Sequence, residues 1–415
     1  MSSAPTASPG RPPIDEAWIL NADRAPAEPA EHIAAVDLLE DLLYQSDDVF
    51  ALPPERVAEL RVSVLRRVLA HHVTGCPDYA RFARSAALRE DALIDEESLA
   101  SVPLIPSSVF KRRDVVTKPV DGSVRVCVSS GTQGGRSRVH RDSTTLERFV
   151  GSIAQGAKLL GVDEDEDALI HVLGPDTDEA GDLWFSYVLS IVDLLHPTVF
   201  HVRGGVFDPE PVLDALAGAP RGERQLVLGP PVFVMKLAQF ALDRGVRLDV
   251  GAGGGLVITA GGWKRFSGAA LSRREMTGLA VRAFGLTGEA DVRDCFNMVE
   301  LNTVLFECAA HVKHIPPWLW ITARDPGTLR PLPSGEEGVL AYLDALPTSY
   351  PGFILGDDFG VVVKDHACRC GRRSDTFEVS RRIQTIEARG CALKMDGAVK
   401  LPGDGRPNTD GEHTR

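Results

Sequence analysis

No stretch of the chain reaches the roughly 18 apolar residues that a helix needs to cross a bilayer. No basic segment followed by an apolar one opens the sequence. Neither a membrane-spanning helix nor a secretory leader is therefore expected. Positive charge is also short: 45 Lys and Arg face 58 Asp and Glu, a net charge of −13. Such a surface repels a phosphate backbone and argues against nucleic-acid binding. An anionic substrate would have to be met by a local basic site. Cysteine is sparse and odd in number, with seven residues spread over the chain. Without an export signal this reads as reduced thiols in the cytoplasm, available for metal or reactive sites, and not as a disulfide framework. A Walker A loop is missing as well, because no Gly-Lys-Ser/Thr closes the chain's Gly-rich segment.

That segment is the most informative one present: Val128-Ser129-Ser130-Gly131-Thr132-Gln133-Gly134-Gly135-Arg136-Ser137-Arg138. Glycines let a backbone turn tightly and bring bare N–H groups close to an anion. The Ser and Thr hydroxyls add donors, and Arg136 or Arg138 adds charge. These are the means by which a loop holds a nucleotide triphosphate. The loop is expected between a strand at 123–128 and a helix capped by Ser143.

With 415 residues and 44% hydrophobic content, the chain can bury a substantial core as one large α/β domain or two to three smaller ones. Residues 1–30 are rich in Pro, Ala and Ser and are expected to be disordered. Helical spacing marks 32–45 and 54–72. An extended connector follows, Val102-Pro103-Leu104-Ile105-Pro106 through Phe110-Lys111. A helix over 143–160 should present Leu146, Phe149, Val150 and Ile153 on one face. Short apolar runs at 168–173, 225–228, 255–260, 291–298, 338–343 and 360–363 alternate with helical stretches at 232–244 and 272–284. This alternation predicts α/β layers with buried strands. The expected division is a large α/β domain over 31–360, a short C-terminal subdomain over 361–402 and a frayed tail over 403–415.

Five motifs stand in an order that resembles the AMP-forming adenylating (ANL-type) superfamily, which includes phenylacetate-CoA ligase-like enzymes. The first is the Ser129–Arg138 loop. Thr259-Ala260-Gly261-Gly262-Trp263-Lys264 resembles the glycine turn that lies against adenine. Cys295-Phe296-Asn297-Met298-Val299-Glu300 resembles the station whose aromatic ring stacks on adenine and whose Glu binds Mg²⁺. Phe296 there replaces Tyr, Asn297 replaces Gly, and Val299 stands where a Thr or Ser is usual. Leu355-Gly356-Asp357-Asp358-Phe359-Gly360 resembles the station whose Asp grips the ribose, with Asp358 the match and Asp357 second. Ser380-Arg381 followed by Arg389-Gly390 resembles the hinge whose Arg approaches the ribose.

Finer features resemble the acyl-protein synthetase family. They are the 102–111 connector, the Gly-Gly-Trp-Lys turn, His314-Ile315-Pro316-Pro317-Trp318, Ser349-Tyr350-Pro351, Cys370-Gly371-Arg372 and Arg389-Gly390-Cys391-Ala392. The resemblance implies layered sheets and helices, an N-terminal helical segment and a much reduced C-terminal lid. It also implies ATP and Mg²⁺ as cofactors, a carboxylic acid substrate and release of pyrophosphate. Ser129, Ser130, Gly131, Thr132, Gly134 and Arg136 would hold phosphates. Gly261, Gly262, Trp263, Phe296 and Asn297 would lie around adenine, and Asp358 and Arg381 at the ribose. Glu300 would carry Mg²⁺. Cys391 would be the acylated nucleophile, with Lys394 standing in for the lid lysine of classical acyl-CoA ligases. The acceptor stays open among a protein thiol, CoA, an amine and a hydroxyl, and so does assembly as a homo-oligomer. An aryl-acid ligase and a non-catalytic scaffold on the same fold are the alternatives.

A separate constellation is metal-like. Cys368-Arg369-Cys370 is a C-x-C pair, and Cys308, His311 and His314 lie upstream. Cys308 and His314 with Cys368 and Cys370 would supply four ligands for a closed structural Zn²⁺ site.

Overall fold

The computed structural model describes residues 38–120, 122, 124–130, 135–162, 168–220, 222–261 and 272–382, with only the backbone at 381 and 382. The segments expected at 1–30 and beyond 382, including the reduced lid, lie outside the described residues.

Helices begin where the local chemistry starts them. Pro54, Pro77, Pro209 and Pro231 each occupy the first position of a helix, where proline's missing N–H costs nothing and its fixed φ suits the helix. The helix Arg273–Phe284 starts with a capping box: Ser272 accepts from the Glu275 backbone, and Glu275 accepts from the backbone of Ser272. The helix Ser143–Ala157 is capped by Asp142, whose side chain accepts from the Thr145 backbone N–H. Ser143 had been expected in that role. Asp142 takes it because its extended backbone lets the carboxylate turn back over the first turn. Phe149 and Ile153 are buried on the expected face, and Leu146 and Val150 are half-buried.

Two six-stranded sheets carry the architecture. One has strand order β11-β10-β9-β8-β4-β5, built from β4 (Ala168–Val172), β5 (Thr198–Phe200), β8 (Arg224–Gly229), β9 (Leu256–Ala260), β10 (Val292–Phe296) and β11 (Leu305–Phe306). All its pairings are parallel except that of β10 with β11. Side chains alternate across it. Leu226, Leu256 and Ile258 face the main core, while Val227, Val257 and Val292 face a second core under the helices Pro209–Gly218, Pro231–Asp243 and Arg273–Phe284. Burial of both faces explains why these strands read as continuous apolar runs.

The other sheet has order β12-β16-β15-β14-β13, with β1 pairing β15. Its strands are β1 (Ile105–Pro106), β12 (Lys313–His314), β13 (Leu319–Arg324), β14 (Glu337–Asp344), β15 (Phe353–Ala367) and β16 (Arg373–Arg382). A division at 360/361 would fall inside β15. Both halves of that strand pair with the same neighbours in one sheet. The 102–111 connector is not uniformly extended: β1 docks parallel to β15 and a 3₁₀ turn, Ser107–Lys111, follows. Among the described residues, no helix is long and apolar enough to cross a membrane.

The cap at Asp142 is testable. Its carboxylate also accepts from Thr348 Oγ1 at 2.9 Å and is buried. Asp142→Ala should lower the unfolding free energy by about 1–3 kcal/mol. Urea denaturation checks it, and an unshifted midpoint would show that the cap carries no stability.

Candidate active site

In an open α/β sheet, ligands bind beyond the carboxyl ends of the parallel strands. Here those ends are Gly261 after β9 and Asn297–Glu300 after β10. The Gly-rich loop comes to the site as the tip of a hairpin between β2 (Arg125–Val128) and β3 (Arg138–Arg141). This corrects the expected strand-to-helix connection, since β3 intervenes before the helix. The neck is closed by the Ser129 N–H donating to the Ser137 carbonyl at 3.0 Å and the Ser137 N–H donating to Ser129 Oγ at 3.0 Å. Ser130 is half-buried and Arg136 is exposed. Gly131, Thr132 and Gly134 lie outside the described residues.

Glu300 is 5% exposed. Burial raises its pKa, while a hydrogen bond from Ser137 and the charge of Lys111 lower it and the Asp357 carboxylate raises it. Lys111 Nζ stands 3.7 Å from Asp357 Oδ2. A buried carboxylate, a second carboxylate and a fixed cation thus gather at the neck of the loop. Such a cluster suits a hard divalent cation and anionic phosphates. Lys111 had been read only as part of a connector.

The segment carrying Glu300 is held from beneath by Arg141, the last residue of β3. Arg141 is fully buried. Its Nη2 donates to the carbonyls of Val299 at 2.6 Å and Leu301 at 3.1 Å and to the Tyr350 hydroxyl at 3.2 Å, and its Nε donates to Asn302 Oδ1 at 3.1 Å. The guanidinium lies 3.6 Å from the centre of the Trp184 ring. Trp184 Nε1 donates to Asn297 Oδ1 at 2.6 Å, and Asn297 Nδ2 donates to the Leu301 and Thr303 carbonyls at 3.3 and 2.9 Å. The Asn297 amide is therefore engaged within the loop. The Asn302 backbone N–H donates to Asp344 Oδ2 at 2.8 Å, and burial pushes the Asp344 carboxyl up to about 6. Arg141, one of two arginines in the short strand Arg-Val-His-Arg, and Asp344, at the end of an apolar strand, gave no sequence signal of this network.

Phe296 ends β10 and stacks with Tyr342 at 6.3 Å and 17°, with Phe377 edge-on at 5.5 Å. Phe296, Thr259, Asp294, Val361, Phe377 and Val379 line a cleft of 1310 Å³ between the two sheets. That is ample for a nucleotide-sized ligand. At Gly261, φ is +82°, and a Cβ there would come within 2.6 Å of the Phe185 ring. Only glycine suits both the conformation and the space. Gly262 and Trp263 lie outside the described residues.

Asp357 and Asp358 sit in an irregularity of β15. Val339 pairs with Phe359 and Ala341 with Leu355, so three residues of β15 stand opposite one of β14. Such a bulge re-aims side chains. Asp357 approaches Lys111 and Glu300. Asp358 lies close enough to Tyr342 for its charge to help raise the phenol's pKa, which burial raises most. Arg381 is placed opposite Phe359 in the β15–β16 ladder. Cys391 and Lys394 lie outside the described residues. Trp184 is buried against Phe149 and Arg141, and Phe233 stacks on Phe207 at 4.5 Å.

Cys308, His314, Cys368 and Cys370 are brought together, with their ligand atoms all within 4.8 Å of one another. His311 is directed elsewhere, with Nδ1 3.6 Å from Glu307.

The fold and this site define an AMP-forming acid ligase, an enzyme class that activates a carboxylate as acyl-AMP and passes the acyl group on. Within that class, residues 26–400 match the family model "Acyl-protein synthetase, LuxE", and the chain belongs to that family. It is similar to the long-chain-fatty-acid–luciferin-component ligase of Vibrio harveyi, 34% identical over 377 residues, which span 90% of this chain and 97% of that protein. The ligase of the same name from Aliivibrio fischeri is 34% identical over 352 residues, 83% of this chain and 90% of the other. Among solved structures, 2-hydroxyisobutyryl-CoA ligase in complex with 2-HIB-AMP and CoA superposes with a TM-score of 0.63. That match is 16% identical and covers 81% of this chain and 70% of the other, so it shows a shared fold.

Arg141→Lys keeps a charge but loses the planar fork that reaches several acceptors at once. It should lower stability by about 3 kcal/mol and slow acid-dependent ATP–pyrophosphate exchange by roughly tenfold or more. Exchange and denaturation equal to the wild type would remove Arg141 as the anchor of the Glu300 loop.

Proposed function

We propose that this chain activates a long-chain fatty acid with ATP and Mg²⁺ and transfers the acyl group through Cys391 to a thiol acceptor. The observation that carries the adenylation half is Glu300, buried at the neck of the Gly-rich loop beside Lys111 and Asp357. The chain length of the acid is suggested by the names of the two relatives that are 34% identical.

In the proposed reaction, a carboxylate oxygen attacks the α-phosphorus of ATP. The bond to the bridging oxygen breaks, and pyrophosphate leaves with its electron pair. Both reactants are anions, so the site must align them and offset their charge. Ser129, Ser130, Gly131, Thr132, Gly134 and Arg136 would hold the departing phosphates, with Lys111 as a cation on the opposite side. Glu300 would hold Mg²⁺, which supplies charge neutralisation at the phosphate oxygens. Phe296 and the turn Gly261-Gly262-Trp263 would position adenine, and Asp358 and Arg381 the ribose. Asn297 would act through the loop it braces. The Cys391 thiolate would then attack the acyl carbonyl and expel AMP, with Arg389 favouring the thiolate. Lys394 would offer a further cation to the adenylate. Zinc, the other cofactor expected, takes no part in this chemistry.

Glu300→Gln should reduce ATP–pyrophosphate exchange by at least about a hundredfold with little change in the unfolding midpoint. An unchanged rate would remove Glu300 as the metal ligand. Because burial raises the Glu300 pKa, protons compete with Mg²⁺ there as pH falls. The Mg²⁺ concentration for half-maximal exchange should therefore rise at lower pH in the wild type.

Cys391→Ser tests the transfer half. Labelled fatty acid plus ATP should leave a hydroxylamine-labile label on the wild type but not on the variant, and exchange should persist in both. If CoA or an amine is acylated undiminished by Cys391→Ser, the cysteine relay is wrong. If aryl acids support exchange and fatty acids do not, the substrate class is wrong.

A further inference from the structure

We propose that Cys308, His314, Cys368 and Cys370 hold one tetrahedral zinc ion, which clamps the turn of the β15–β16 hairpin to the β11–β12 loop and so sets the wall of the nucleotide cleft. The spacing of the donor atoms matches the ion. Cys308 and Cys368 Sγ are 3.8 Å apart, and Cys370 Sγ and His314 Nε2 are 3.4 Å apart. Zn–S bonds of about 2.3 Å and a Zn–N bond of about 2.0–2.1 Å at tetrahedral angles give edges of roughly 3.8 Å for S···S and 3.6 Å for S···N. A disulfide would need its sulfurs at about 2.05 Å.

The histidine tautomer follows from its surroundings. Ser374 Oγ donates its proton to the Asp375 carbonyl at 3.1 Å. Its lone pair then accepts at 2.7 Å from His314 Nδ1–H in the tautomer that a zinc-bound Nε2 requires. That tautomer leaves the Nε2 lone pair toward the sulfurs, with Nε2 3.4 Å from Cys370 Sγ. A second-shell donor–acceptor pair of this kind orients metal-bound histidines.

Each thiol is also supplied with a backbone N–H. Ala310 N–H donates to Cys308 Sγ at 3.4 Å, Cys370 N–H to Cys368, and Arg372 N–H to Cys370. Two matching turns aim these donors, closed by His311 N–H to the Cys308 carbonyl and Gly371 N–H to the Cys368 carbonyl. N–H donors of this sort stabilise thiolate over thiol. Three thiolates and a divalent ion leave one negative charge. The Arg372 side chain hydrogen-bonds Cys370 and pairs with Asp48 at 2.8 Å. Four protein ligands with three sulfurs make a closed site, which is structural and not catalytic.

The clamp acts on the cleft through β12. Lys313 pairs with Phe377 and His314 with Thr376, and Lys313, Thr376 and Phe377 all line the cleft. Loss of zinc frees this edge, so the KM for ATP should rise more than kcat falls. Metal binding itself does not depend on the proposed reaction. Only the ATP effect does.

The full chain, purified without added metal or chelator, should contain about one zinc per molecule by mass spectrometry. A mercurial reagent should release it to a chromogenic chelator. Protein loaded with Co²⁺ should show thiolate charge-transfer and tetrahedral d–d bands. Cys370→Ser should weaken zinc retention by at least roughly tenfold and lower the melting temperature, whereas Cys76→Ala should leave zinc content unchanged. If Cys370→Ser does not fold, the zinc content and cobalt spectrum of the wild type decide. Protein without zinc whose three thiols react freely in the native state, or an octahedral cobalt spectrum, would overturn the site. Stoichiometric zinc whose removal leaves the KM for ATP unchanged would overturn the clamp.

Discussion

A guanidinium sealed from water needs acceptors close by, and Arg141 finds most of its own in one short segment, with the Tyr350 hydroxyl beside it. The carbonyls of Val299 and Leu301 and the amide oxygen of Asn302 all turn toward it. Glu300, within that run, is held with its carboxylate against Ser137. Removing the cation would strip the Val299 carbonyl and the Asn302 amide oxygen of this donor, while the Leu301 carbonyl would keep the one from Asn297, a cost above that of one ordinary hydrogen bond. The Gly-rich loop depends on the same side chain from the other direction, because Arg141 ends the strand that returns from it. One buried charge thus registers the Gly-rich loop against the loop that carries Glu300. Trp184 covers one face of that charge, and its indole N–H fixes Asn297.

The two sheets divide the work. The parallel sheet, buried on both faces, is a rigid base whose strand ends deliver Gly261, Phe296 and Glu300. The antiparallel sheet supplies the opposite wall, and its bulge at 356–358 aims Asp357 toward Lys111 and Asp358 toward Tyr342. A regular strand would have alternated these side chains across the sheet, whereas the bulge re-aims them. Lys111 reaches the site because β1 docks along β15 and the following 3₁₀ turn ends beside Asp357.

Most of the layered architecture was legible in the sequence, because apolar runs and helical spacing report burial directly. The runs at 225–228 and 255–260 and the helical stretch at 232–244 became elements with ends shifted by a residue or so. The N-cap at Asp142 was misread in favour of Ser143, since a sequence lists adjacent capping residues without their dihedrals. The boundary expected at 360/361 falls inside the 15-residue strand β15, in which Gly356, Asp357 and Asp358 form a bulge. Arg141, Lys111 and Asp344 escaped notice because their importance lies in contacts with residues far along the chain.

The amino-acid sequence by itself determined the class of chemistry. Hydroxyl and glycine residues in the 128–138 segment, Glu300 four positions after Phe296, and an Asp pair after Gly356 form the ordered pattern that resembles the adenylating superfamily, and side-chain type states that pattern outright. It also determined which residues were available as soft metal ligands. Only the tertiary structure decided what stands beside what. Glu300 meets Ser137, Lys111 meets Asp357, and Cys308 meets Cys368, 60 positions further along the chain. Such meetings follow from sheet pairing and, for Glu300, from the acceptors that the buried Arg141 guanidinium holds on either side of it, and neither leaves a local pattern in the chain. Composition specifies the reactive groups, but the energy of burying Arg141 and pairing β15 with its neighbours specifies their geometry.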